Sequence, residues 1–162
     1  YWLAYTISKS QQKTIGKNET ETGINMGKWY NTGYDKTHDF SLFSNYKLNN
    51  KLTLNTNFIF QTGQPTNYPT GQYTFMDLTI PNYGERNSKR LPNYHRLDIS
   101  LTLNSKNKRN YKSEWIFGLY NIYNRDNANS IFFRENEKTL KNEAIQISIF
   151  GIVPSVTYNF KF

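Results

Sequence analysis

The side chains best suited to chemistry in this chain are two histidines, each placed just ahead of an aspartate. His38 precedes Asp39, and His95 precedes Asp98 with Arg96 between them. Two imidazoles and two carboxylates are a competent donor set for a divalent transition metal. The same residues can instead form a hydrogen-bonded rim network with Arg96 that orients neighbouring strands. The pattern favours the network, because the two segments lie on strands that flank a third and are not adjacent. No catalytic set competes with it. The chain has no Cys, which excludes thiolate catalysis and thiolate metal sites. It has no Gly-x-Ser-x-Gly and no phosphate-cradling glycine loop. Glu19 and Glu21, like Glu135, Glu137 and Glu143, fall in polar segments where solvation is the ordinary role of a carboxylate. The sequence therefore predicts neither an enzyme nor a cofactor.

A second group is suited to binding. Trp29, Tyr30, Tyr34, Tyr68, Tyr73, Phe75 and Tyr83 lie in long polar segments, where aromatic rings can stack on a sugar or a peptide or can pack the segments together. Arg86, Lys89 and Arg90 could draw in an anionic ligand or could simply be solvated.

These residues are carried on runs of period-2 alternation, the signature of half-buried strands. Tyr1, Leu3, Tyr5 and Ile7 alternate with Trp2, Ala4, Thr6 and Ser8. After the polar stretch Gln11 to Lys36, the run His38–Leu48 puts Phe40, Leu42, Tyr46 and Leu48 on one face. Asn49-Asn50 is then expected to be a two-residue turn of the kind that tolerates positive φ. In Lys51–Thr62, Leu52, Leu54, Phe58 and Phe60 share a face. The segment from Gly63 to about Tyr94 is expected to be a long loop, with Pro65, Pro69, Pro81 and Pro92 as breakers. Leu97, Ile99, Leu101 and Leu103 alternate without fault, and a basic turn, Ser105 to Ser113, follows. The fifth run opens at Glu114 with Trp115, Phe117 and Leu119 in phase; Tyr120, Ile122 and Asn124 then blur the pattern, as a bulge would. Ser130–Arg134 and Ala144–Phe150 read as a hairpin extension. The last run is Ile152–Phe162, with Pro154 near its start.

Six strands result, joined by connections that alternate long and short. That is the pattern of a transmembrane antiparallel β-barrel, with long loops outside the cell and short turns in the periplasm. If Phe162 ends on the periplasmic side, Asn49-Asn50 and the basic turn fall there too. The 162 residues carry a net charge of +8, with 13 Tyr, 11 Phe and 3 Trp. The mean hydropathy of -0.78 suits a sheet that is apolar on one face only. The cationic residues are spread along the chain, apart from Lys106, Lys108, Arg109 and Lys112, so nucleic-acid binding is not expected. A soluble β-sandwich binding module is the alternative. Large rings near strand ends (Tyr46, Phe58, Phe60, Trp115 and Tyr158) and the long loops favour the barrel.

Several segments resemble the last barrel strands of TonB-dependent receptors from Bacteroidetes. They are Gly27-Lys28-Trp29-Tyr30, Tyr34-Asp35-Lys36-Thr37-His38-Asp39, Arg90-Leu91-Pro92-Asn93-Tyr94-His95-Arg96-Leu97-Asp98, Gly118-Leu119-Tyr120-Asn121-Ile122-Tyr123-Asn124 and the closing Pro154 to Phe162. The resemblance implies that residues 1–162 are the C-terminal six strands of a 22-stranded barrel whose plug domain, TonB box and earlier strands lie upstream. It implies residence in the cell outer membrane and import of a nutrient: an iron chelate, cobalamin, a glycan or a peptide. It implies the TonB–ExbB–ExbD complex as the energy source and, in some members, a SusD-like surface lipoprotein as partner. The alternating Val156, Tyr158, Phe160 and Phe162 resemble the signal read by the barrel-assembly machinery, by strand addition to an exposed edge. Six strands are too few to close a membrane barrel, so Tyr1 is expected to lie within a longer polypeptide, or another chain to complete the sheet. The remaining reading is a structural one, a barrel subunit or assembly substrate in an envelope complex.

Overall fold

In the computed structural model, residues 1–18, 20–76, 78–105, 111–136 and 142–161 are described. The chain is all-β, with antiparallel pairing wherever register is defined. In chain order the strands are β1 (Trp2–Ile7), β2 (Gln11–Gln12), β3 (Tyr30–Asn31), β4 (His38–Lys47), β5 (Leu52–Gln61), β6 (Pro65–Thr66), β7 (Pro69–Phe75), β8 (Leu78–Tyr83), β9 (Lys89–Arg90), β10 (Tyr94–Asn104), β11 (Lys112–Tyr120), β12 (Ala128–Glu135), β13 (Asn142–Ser148) and β14 (Val153–Lys161). Six of them form one sheet in the order β1-β4-β5-β10-β11-β14. The other eight pair as β2-β3, β6-β9, β7-β8 and β12-β13.

The six strands of the main sheet coincide with the six alternating runs. Their order follows from the lengths of the connections. Residues 48–51 and 105–111 are short enough to join antiparallel neighbours at one end of the sheet. The long connections, 8–37, 62–93 and 121–152, all leave from the opposite end, where Asp39, Gln61 and Tyr94 stand in register. The chain divides into two compact units. One comprises Tyr1–Thr6, Asp39–Gln61 and Tyr94–Phe162, and the other Ile7–His38 and Thr62–Asn93.

Four sequence expectations need correction. The turn at Asn49-Asn50 is not a two-residue one: residues 48–51 lie between β4 and β5, and neither Asn has a positive φ. It is closed by Leu48 and Asn49 amides donating to the Leu52 carbonyl (2.9 and 3.2 Å), while Asn49 Oδ1 accepts from the Lys51 and Leu52 amides (both 2.9 Å). The Asn side chain, not a left-handed backbone, makes the reversal. The blurred alternation after Leu119 is not a bulge. β11 ends at Tyr120, and Asn121 and Asn124 take left-handed φ of 53° and 52°. Third, the segment 63–94 is not a structureless loop. Pro69 and Pro81 lie within the β7-β8 hairpin, a two-stranded ribbon. Each strand of such a ribbon has an unpaired side, where a missing N–H costs nothing. The polar stretch 11–36 likewise contains β2 and β3. Fourth, in the hairpin extension β12 is longer than expected and β13 is shifted two residues earlier, the two pairing from Ala128↔Ser148 to Glu135↔Asn142. Lys106, Lys108 and Arg109, and also Glu19, Glu137 and Phe162, lie outside the described residues.

The second unit is held by polar cross-links between its two segments. Asn25 embraces the backbone of Arg86, donating to its carbonyl (3.1 Å) and accepting from its amide (2.7 Å). Asn87 Nδ2 donates to the Asn31 carbonyl at 2.7 Å. Gly63 is required where it stands, since a Cβ there would lie 1.7 Å from the Leu91 carbonyl oxygen.

Candidate functional site

The register sorts the main sheet into two chemically distinct faces. One is apolar and runs in rows across the strands. Phe40, Phe60 and His95 form the row nearest the long connections, followed by Leu42, Phe58 and Leu97. Ser44, Thr56, Ile99, Leu119 and Pro154 make the third row, and Tyr46, Leu54, Leu101, Phe117 and Val156 the fourth. Leu52, Leu103, Trp115 and Tyr158 make the fifth, with Phe160 beyond them opposite Ser113. The third row has no aromatic ring. On one side of it, Tyr5, Phe40 and Phe58 are in ring contact in series (6.4 and 6.0 Å between centroids), and Phe60 stacks on His95 at 6.5 Å. On the other side, Trp115 meets Tyr158 at 4.5 Å and Tyr158 meets Phe160 at 5.9 Å.

This apolar face is open. Val156 is 63% exposed, Phe160 58%, Phe117 46% and Trp115 43%. Among the described residues Tyr30, in the other unit, is the one buried hydrophobic side chain. Open apolar surface of this extent, rimmed by polar residues, marks a surface that contacts something other than water.

The opposite face is polar and laced by side-chain hydrogen bonds. Asn45 donates to Asn55, and Asn55 donates to Ser100 (3.3 Å) and Thr102 (3.2 Å). Asn57 donates to Asp98 at 3.4 Å, and Asn159 donates to Glu114 at 2.9 Å. The rim network of the sequence reading exists here in part. Arg96 Nε donates to Asp98 at 3.0 Å, and its Nη1 donates to the Tyr94 and Tyr120 hydroxyls at 2.9 and 2.6 Å. The guanidinium also lies 4.0 Å over the Tyr120 ring, a favourable cation–π placement. Asp39 accepts from Gln61 at 2.9 Å on the same face.

His95 does not belong to that network. His95 is on the apolar side of β10, between Phe60 and Tyr123, and its Nδ1 bonds the Tyr123 hydroxyl at 2.9 Å. His38 falls by strand parity on the side of Phe40, away from Asp39. Strict alternation explains the correction: His38 and Asp39 are one residue apart, and His95 and Asp98 three, so each pair is split across the sheet. Among the described residues no three His, Asp or Glu are grouped to hold a metal ion.

Asn121 is a structural residue that the sequence reading did not single out. It is fully buried at the end of β11. Its amide donates to Asp98 at 2.9 Å, its Nδ2 donates to the Arg125 and Phe150 carbonyls (2.9 and 3.4 Å), and its Oδ1 accepts from the Arg125 amide at 3.1 Å. Asn124 Oδ1 accepts from the Ile152 amide at 2.7 Å. These two asparagines clamp the base of the 121–152 connection. The sequence signal was the Asn121-Ile122-Tyr123-Asn124 spacing at the point where alternation fails, since Asn tolerates the left-handed region. Asn121→Ala takes a donor from two carbonyls, leaves the Arg125 amide without its side-chain acceptor and puts Ala at positive φ. It is expected to cost about 2 kcal/mol, read as faster hydrogen exchange and earlier proteolytic cutting within 121–152 while the remaining strands stay protected.

In the second unit the aromatic candidates separate. Trp29, Tyr34, Tyr73, Phe75 and Tyr83 are exposed. Tyr30 is buried, with its hydroxyl 3.0 Å from Thr14 Oγ1, so it packs the unit and is not open to a ligand. Tyr68 is partly buried and donates to the Arg90 carbonyl at 3.5 Å, and burial pushes its hydroxyl pKa up. Arg86 is exposed and its backbone is held by Asn25. Arg90 is not a solvated cation. Its Nη2 pairs with the buried Asp35 carboxylate, and its Nη1 donates to the carbonyls of Asp35 (3.2 Å) and Gly63 (2.9 Å). The Ser10 amide donates to the other Asp35 oxygen at 2.5 Å. Burial by itself would raise the Asp35 pKa; the Ser10 amide and the Arg90 guanidinium outweigh it and hold the carboxyl below the usual range.

No protein-family model, no characterised protein and no solved structure matches this chain.

Proposed function

We propose that this chain is part of the wall of an outer-membrane β-barrel, with the apolar face turned to lipid and the polar face to the lumen. The observation that carries the reading is the banding of the apolar face: aromatic rows, then a row without rings, then aromatic rows again. Outer-membrane barrels carry an apolar band about 25 Å tall between two aromatic girdles. From the His95 row to the row of Ser105, Ser113 and Phe160, β10 advances roughly 34 Å at about 3.4 Å per residue. At a strand tilt of about 40° that is roughly 26 Å of height. A sandwich would bury such a face against a second sheet, so its exposure favours the barrel. Since about eight strands are the fewest that close one, further strands pair with the free sides of β1 and β14. The long connections then face the cell exterior and the two short turns the periplasm.

Within that reading the protein acts in the import of a nutrient as a TonB-dependent receptor, which the segment resemblance supports. The transported class is an iron chelate, cobalamin, a glycan or a peptide, and the exposed Trp29, Tyr34, Tyr73 and Phe75 are the ligand-facing rings. The energy comes from TonB–ExbB–ExbD, a SusD-like lipoprotein is a candidate partner, and Val156, Tyr158, Phe160 and Phe162 serve the barrel-assembly machinery. Site-specific cross-linking in living cells, on the polypeptide that carries this chain, tests import. A TonB adduct that strengthens when nutrient is supplied is the expected result. An outer-membrane protein with no TonB adduct under any supply would leave only the structural role in an envelope complex.

A further inference from the structure

At the short-turn end of the main sheet, positive charge is uncompensated among the described residues. Lys112 and Lys161 are direct cross-strand partners on β11 and β14, in phase with the Glu114↔Asn159 pair of the same face. Residues so paired have Cβ atoms about 4.5–5.5 Å apart, and like charges there repel. Lys51, in the adjacent turn, lines the same cavity of about 530 Å³, together with Asn104 and Ser105. Glu114 is the one acid in that lining, and its Oε1 already accepts from Asn159. None of the three lysines makes an ion pair among the described residues. Three ammonium groups against one carboxylate leave a local excess of two positive charges.

We propose that this cavity binds a doubly charged oxyanion of the phosphate class. An anion between Lys112 and Lys161 turns a repulsive pair into two attractive contacts, which gives the otherwise unfavourable pairing a physical role. The volume is in the range of small-molecule sites, roughly 300–1,000 Å³. The lining offers charge and hydrogen-bond donors, with Phe160 as its one ring, so it selects for charge and not for an aromatic or sugar body. Lysines suit this use, since each is a compact, strongly hydrated point charge that reorients its donors freely. The phosphate can be free or can be a phosphomonoester headgroup, as in phosphatidic acid. The cavity lies at the β11-β14 pairing beside Asn50, Lys51 and Ser105 and does not depend on the membrane assignment, so the two can fail separately.

The test uses the whole chain in detergent, with inorganic phosphate titrated against chloride at matched ionic strength. Saturable heat on titration and a higher thermal midpoint in phosphate are expected. Lys112→Gln and Lys161→Gln should each weaken binding about tenfold, as loss of one charged contact does. Each should also raise the midpoint in chloride, because the repulsion is relieved. Lys13→Gln, an exposed lysine of the other unit, serves as the control and should bind as the unmodified chain does. A short-chain phosphatidic acid in place of phosphate separates the sources: tighter binding assigns a lipid headgroup, equal binding a free anion. No saturable heat with either probe, or Lys112 and Lys161 variants that bind like the control, would overturn the proposal.

Discussion

Arg90→Met is expected to destabilise the unit formed by Ile7–His38 and Thr62–Asn93 by about 3–5 kcal/mol, as breaking a buried ion pair from one side does. The Asp35 side chain is 1% exposed, while Arg90 is 29% exposed. Removing the guanidinium therefore leaves a buried carboxylate without its cation. It also strips donors from the Asp35 and Gly63 carbonyls. The reverse change, Asp35→Asn, should cost less, because Arg90 can turn toward solvent. Native-state hydrogen exchange across the two segments reads both variants, and equal small effects would contradict the assigned asymmetry. The pH dependence has a definite sign. A carboxyl whose folded pKa is depressed binds its proton more readily in the unfolded chain. Its stabilisation is complete above the unfolded value of about 3.9 and is lost as pH falls through the lower folded value. Between pH 5 and 8 the exchange protection of this unit should owe nothing to Asp35 titration. Below pH 4 it should fall in the unmodified chain, and the Asp35→Asn variant should lack that component.

The second large effect separates lipid from water. Val156 and Thr157 are neighbours on β14, both exposed in this structure, on opposite faces of the sheet. If both faces meet water, Val156→Arg and Thr157→Arg are both near neutral, as surface substitutions usually are. If the apolar face meets lipid, Val156→Arg costs about 2–4 kcal/mol near the middle of the band, and Thr157→Arg, turned to the lumen, costs little. Urea titration of the purified protein in lipid bilayers, free of any assembly machinery, measures the difference. The expected order is a large loss for Val156→Arg against a small one for Thr157→Arg.

The strands were legible because alternation with period 2 is a direct consequence of burying, or greasing, one face of a sheet. Leu97 to Leu103 shows it without interruption, and β10 is where that run predicted. The split of His95 from Asp98 was equally legible from parity, yet chemical affinity between imidazole and carboxylate suggested otherwise. Parity wins because backbone geometry fixes the face before side chains can choose partners. The β7-β8 hairpin was hidden by Pro69 and Pro81. Proline argues against a central strand, but a two-stranded ribbon has no central strand. Tyr30, Asp35 and Arg90 were hidden for a different reason. Their contacts span 55 residues between Asp35 and Arg90, and no local pattern encodes such a pairing. Asn121 lies between these cases: its left-handed backbone left a trace in the sequence, while its hold on Phe150, 29 residues away, did not.

The central claim is that the banded face of the sheet contacts lipid. The chain has three Trp residues, Trp2, Trp29 and Trp115, so Trp2→Phe with Trp29→Phe leaves Trp115 as the sole indole. Trp115 sits in the aromatic row toward the short turns, in tilted ring contact with Tyr158. Its fluorescence in bilayers of lipids brominated at successive chain depths reports its position directly. Strong quenching that peaks for bromines near the headgroup end of the chains, at the depth of an aromatic girdle, is the expected result. Quenching by aqueous iodide with no response to brominated lipid would contradict it.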